Sequence, residues 1–60
     1  MPADFQDMGG RRFYWDGLNY PAEQEAEEAA ERYAAEGFEV LVLDTPEGHL
    51  VYSRRQAQGG

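Results

Sequence analysis

The chain has 60 residues, a formal net charge of −7 and no cysteine. A domain this short buries only about 60% of the surface its unfolded form exposes, and the missing cysteines exclude disulfides and thiolate metal sites as staples. Twelve acidic residues against five arginines and no lysine give a surface repelled by phosphate backbones and anionic membranes, so no direct nucleic-acid or membrane partner is expected.

Residues 1–10 carry Asp4 and Asp7, no basic side chain and no clear period, and end in Gly9-Gly10. They read as a flexible N-terminal arm without the basic start of a secretory signal, which makes the cytoplasm the expected location. Arg11 to Asp16 alternates as a short strand, with Phe13 and Trp15 on one face and Arg12, Tyr14 and Asp16 on the other. Asp16-Gly17 marks a turn. Pro21 to Glu36 is nearly all alanine and glutamate: a helix opened by proline at its first position and stopped by Gly37. Ala22, Ala26, Ala29, Ala30, Tyr33 and Ala34 form its apolar face, Glu23, Glu27 and Glu31 an acidic stripe, and Glu28 is spaced to pair with Arg32.

Phe38 to Asp44 is the next strand, with Phe38, Val40 and Val42 on one side and Glu39, Leu41 and Leu43 on the other. Thr45-Pro46-Glu47-Gly48 is a turn, His49 to Arg54 a third strand, and 56–60 a flexible C-terminal tail. The fold class predicted is α+β in the order β-α-β-β, a single domain over 11–55. One helix packs on one face of a small three-stranded sheet that dimerisation completes. Phe13, Trp15, Tyr33, Phe38, Val40, Val42 and Tyr52 would form the core beneath the helix. Tyr14, Leu41, Leu43 and Val51 would lie on the bare opposite face, an apolar patch that monomers rarely leave exposed. That face, or a free strand edge, is expected to dock a protein partner, a second copy included.

Other candidates are each matched by a plainer reading. Arg11, Arg12, Arg54 and Arg55 gather at one sheet end and suit a phosphate or carboxylate; strand-end arginines also serve solubility. Asp44, Glu47 and His49 on one turn have the donor types for a divalent metal, yet a lone histidine on a flexible hairpin is more simply a strand residue. Ser53 and His49 are not arranged as a triad. Phe13, Tyr14 and Trp15 suggest a stacking platform but lack the interleaved basic residues of a nucleic-acid sheet. No enzymatic activity and no cofactor are expected. Glu23, Glu27 and Glu31 are either a solvated helix face or a surface for a basic groove.

Three resemblances add to this. Gly59-Gly60 resembles the activated di-glycine end of ubiquitin-like modifiers and sulfur carriers, which implies a reactive C-terminus. Ala26 to Tyr52, with Gly37-Phe38-Glu39-Val40 and Leu50-Val51-Tyr52, resembles half of a SPOR-type peptidoglycan-binding repeat. The same acidic β-α-β-β order is similar to the small phage inhibitors of bacterial RNA polymerase, which implies an acidic strip occupying a nucleic-acid path. The leading expectation is a small acidic, homodimeric, non-enzymatic protein-interaction module.

Overall fold

The computed structural model describes residues 2–56. Its elements are β1 (Phe5–Met8), β2 (Arg11–Tyr20), α1 (Glu23–Ala35), β3 (Phe38–Thr45) and β4 (Gly48–Arg55). The strands form one curled antiparallel sheet, ordered β1-β2-β4-β3, with α1 packed on it. β2 and β3 both pair with β4, so they run parallel to each other and α1 carries the chain across β4 between them.

Four strands replace the expected three because part of the supposed arm is ordered. Phe5–Met8 pairs with β2 through Phe5↔Tyr14 to Met8↔Arg11. Gly9 and Gly10 sit at φ +58° and +77°, the two successive positive values that a tight hairpin turn demands and that glycine supplies without a Cβ penalty. Arg12 fastens the hairpin: its guanidinium donates to both Asp7 carboxylate oxygens, at 2.9 and 3.3 Å, and lies 3.9 Å from the Phe5 ring centroid.

β2 also runs past the expected Asp16-Gly17 turn. Its register with β4 shifts between Trp15 and Asn19, so the turn residues form a bulge and pairing resumes at Asn19↔Leu50. Within the bulge Trp15 Nε1 donates to the Leu18 carbonyl at 2.9 Å, and Leu18 N–H donates to Asp16 Oδ1 at 2.9 Å.

The helix begins at Glu23 with Ala22 as its uncapped N-cap, two residues beyond the proline start read from the sequence. Glu23 and Glu25 in the first turn favour the helix dipole. Gly37, at φ +94°, ends it, its N–H donating to the Ala34 carbonyl at 3.0 Å. Glu28 accepts from Gln24 at 3.3 Å; among the described residues it forms no ion pair with Arg32.

The faces of β3 are as the sequence reading has them, with Val42 toward the helix and Leu41 and Leu43 away from it, but the faces of β2 and β4 are the other way round. At the helix–sheet contact Ala26 and Ala29 of α1 meet Val51, with Tyr20, Tyr33 and Val42 packed against them. Val51, expected on the bare face, is fully buried there, and Tyr14 lies on this same side, opposite Ser53. Phe13 and Trp15 occupy the far face with Leu41, Leu43, Leu50 and Tyr52. Alanine at the contact positions seats the helix on Val42 and Val51, and the register with β4 sets Trp15 beside Tyr52 on the far face. The curl of the sheet then folds the large side chains onto one another and buries Phe13, Leu50 and Tyr52. The N-terminal segment contributes: Tyr52, with no exposed surface, donates its hydroxyl to the Ala3 carbonyl at 2.8 Å.

Candidate interaction surface

β3 is an edge strand of eight residues. Its partner β4 is reached through a two-residue turn at Pro46-Glu47, with Thr45 opposite Gly48. Gln56 N–H donates to the Gly37 carbonyl at 3.2 Å, which extends the same ladder beyond Phe38. In an antiparallel ladder, hydrogen-bonded and non-bonded pairs alternate. Residues 37, 39, 41, 43 and 45 therefore bond inward to β4, while Phe38, Val40, Val42 and Asp44 direct N–H and C=O away from the sheet. The devices that normally blunt such an edge are lysine, a central proline, a bulge or a covering segment. β3 has no lysine and no proline, its register with β4 is unbroken, and its only charged side chains are Glu39 and Asp44. The opposite edge, β1, is four residues long.

Leu41 and Leu43, expected on a bare face, are half-buried against the Phe13–Leu50–Tyr52 cluster. The larger exposed apolar side chains are Phe5, Met8, Tyr14 and Leu18. Phe5 and Tyr14 pack as tilted rings 6.4 Å apart across the first hairpin.

The four arginines do not form one cluster, because alternation along β2 and β4 sends them to two faces. Arg11 and Arg54 converge on Glu39: Arg11 Nη1 lies 2.6 Å from Oε2, and Arg54 Nη1 contacts Oε1. With Gln56 they line an open depression of about 330 Å³. On the other face Arg12 joins Asp7, and Arg55 lies 5.5 Å from the Phe38 ring centroid. The Arg12 hydrogen bond holds the Asp7 carboxyl below its ordinary range and raises the guanidinium in return.

Glu23, Glu27 and Glu31 are all exposed along α1. His49 Nδ1 lies 2.7 Å from Asp44 Oδ1, its cross-strand neighbour. No group of three His, Asp or Glu side chains among the described residues is arranged to hold a metal ion. Gly59-Gly60 lies outside the described residues. No helix among the described residues is long and apolar enough to cross a membrane.

One arrangement escaped the sequence reading. Asp16 Oδ2 accepts from the Tyr20 hydroxyl at 2.7 Å and from the Tyr33 hydroxyl at 3.0 Å, so a single carboxylate ties the bulge of β2, the end of that strand and the helix. Burial, then the Asp16 hydrogen bond, pushes both phenols above the ordinary tyrosine range. The sequence offers little signal of it, because Asp16-Gly17 reads equally well as a turn.

With this geometry in view, comparison with known proteins returns nothing: no family model, curated protein or solved structure matches the chain.

Proposed function

We propose that the chain is a small non-enzymatic interaction module that binds a protein partner by adding a strand along the free edge of β3. The observation behind this is the run Phe38 to Leu43, apolar except for Glu39, whose outward backbone groups have no strand partner among the described residues. Unpaired ladder groups beside half-buried apolar side chains form a template for another strand. The one charged side chain in that run, Glu39, is already neutralised by Arg11 and Arg54.

N-methylation of the Val42 amide, introduced by chemical synthesis, removes one outward donor and obstructs the edge without touching the β4 ladder. Extract from the native host passed over the unmodified and the N-methylated chain should yield a protein retained only by the first, which then binds in purified form. Identical retention by both would contradict edge docking.

A second reading is favoured by the exposure of Glu23, Glu27 and Glu31 along one side of α1. That strip would enter a basic groove, including one that otherwise receives nucleic acid on an enzyme such as RNA polymerase. It requires salt-sensitive binding that is weakened by Glu27→Lys and Glu31→Lys. Unchanged partner affinity in that double variant rules it out.

A further inference from the structure

We infer that the strand added to β3 is β3 of a second copy, antiparallel about a twofold axis at Leu41. This rests on the docking-edge reading above and names its partner. Val40-Leu41-Val42 reads the same in both directions. A twofold at Leu41 therefore sets Val40 opposite the partner's Val42 and Leu41 opposite the partner's Leu41. Val40 and Val42 hold outward backbone groups, so each of these valine pairs exchanges two hydrogen bonds, and Phe38 with the partner's Asp44 extends the ladder. Two four-stranded sheets become one continuous sheet.

The charges fit this register. Arg55 reaches over Phe38 on the face that Phe38 shares with Val40 and Val42, so its guanidinium stands beside the partner's Asp44, and the twofold repeats the contact. Asp44 uses Oδ1 for His49 and has Oδ2 for that guanidinium. Glu39 falls opposite the partner's Leu43 rather than opposite another carboxylate. Between the paired strands, this register opposes no like charges and gains two cross-pairs. α1 packs chiefly over β3 and β4, so the two helices come to lie about two strand spacings apart, roughly 10 Å, a distance at which helices pack.

The chain has no cysteine, so one introduced thiol reports only intermolecular pairing. Leu41→Cys places two sulfurs across a non-hydrogen-bonded pair, within disulfide reach. Under mild oxidation it should form a covalent dimer at least roughly tenfold faster than Tyr14→Cys, because pairing raises the effective thiol concentration from micromolar toward millimolar. Sedimentation equilibrium of the unsubstituted chain at high micromolar concentration and moderate salt should show a dimer, and the Val42 N-methylated chain a monomer. A monomeric unsubstituted chain, or a dimer that survives N-methylation, overturns the inference, as does oxidation of Leu41→Cys no faster than the control. None of these results bears on whether another protein uses the edge, which the capture experiment reads separately.

Discussion

Asp16 ties the bulge of β2 to the helix, and Asp16→Ala tests that directly. Three donors converge on its carboxylate: the Tyr20 and Tyr33 hydroxyls and the Leu18 N–H. Hydrogen bonds to a charged group contribute about 1.5–3 kcal/mol each when buried. The two phenols are only half-buried and regain some water when the carboxylate is removed, so about 1 kcal/mol per donor is the appropriate scale here. The loss sums to about 2–4 kcal/mol, a large share of the stability of a domain this small. At roughly 4–8 °C per kcal/mol for a domain of this size, melting should fall by about 10–30 °C. Urea denaturation followed by the fluorescence of Trp15, the single tryptophan, gives the free energy. Asp16→Asn, which keeps one acceptor oxygen, should fall between wild type and Asp16→Ala. A cycle with Tyr33→Phe should show coupling of about 1 kcal/mol, since the two share a bond. If Asp16→Ala stays within about 0.5 kcal/mol of wild type, as an ordinary surface change would, the carboxylate does not tie sheet to helix.

Tyr20 and Tyr33 titrate above the ordinary phenol range when folded; the folded state then binds more protons than the unfolded one above about pH 10, so stability is complete below that pH and declines as pH rises through the folded values. Phenolate absorbance should show Tyr20 and Tyr33 titrating late, and Asp16→Asn should lower both without fully normalising them, because burial remains. At Gly48, φ is +147° and an added Cβ would meet Asn19 Oδ1 at 2.0 Å; Gly48→Ala should cost about 2 kcal/mol, and Asn19→Ala should recover part of it by removing the collision but not the backbone strain. Deleting residues 1–8 removes β1 and the Ala3 carbonyl that accepts from Tyr52; about 2 kcal/mol or more should be lost, whereas an unchanged denaturation curve would mean the segment does not belong to the fold.

Much of the fold was legible in the residues because local chemistry wrote it. Gly37, the alanine face, the Thr45–Gly48 turn and the alternation of β3 and β4 all report structure within a few positions. β1 was missed although Gly9-Gly10 is itself a hairpin signal, since Phe5-Gln6-Asp7-Met8 has too little apolar content to read as a strand. What stabilises it is Arg12 lying on Phe5 and bonded to Asp7, a cross-strand contact. The faces of β2 and β4 escape the sequence for a related reason. Alternation gives each strand two sides, but only register says which side of β2 aligns with which side of β3, and the bulge at Asp16–Leu18 shifts that register midway. Tryptophan and phenylalanine suggest a core under the helix; the register of β2 with β4 sets them beside Tyr52 on the other face. The arginine group was dispersed by the same alternation. The edge position of β3 is a matter of strand order, which nothing local to Phe38–Thr45 encodes.

Amide hydrogen exchange across a range of protein concentrations addresses the docking edge most directly. Glu39, Leu41 and Leu43 N–H groups, bonded to β4, should be protected at every concentration. Those of Phe38, Val40, Val42 and Asp44 should exchange freely when dilute and gain protection as concentration rises or as a purified partner is added. Outward amides that exchange at the same rapid rate under all of these conditions would contradict a docking role for β3.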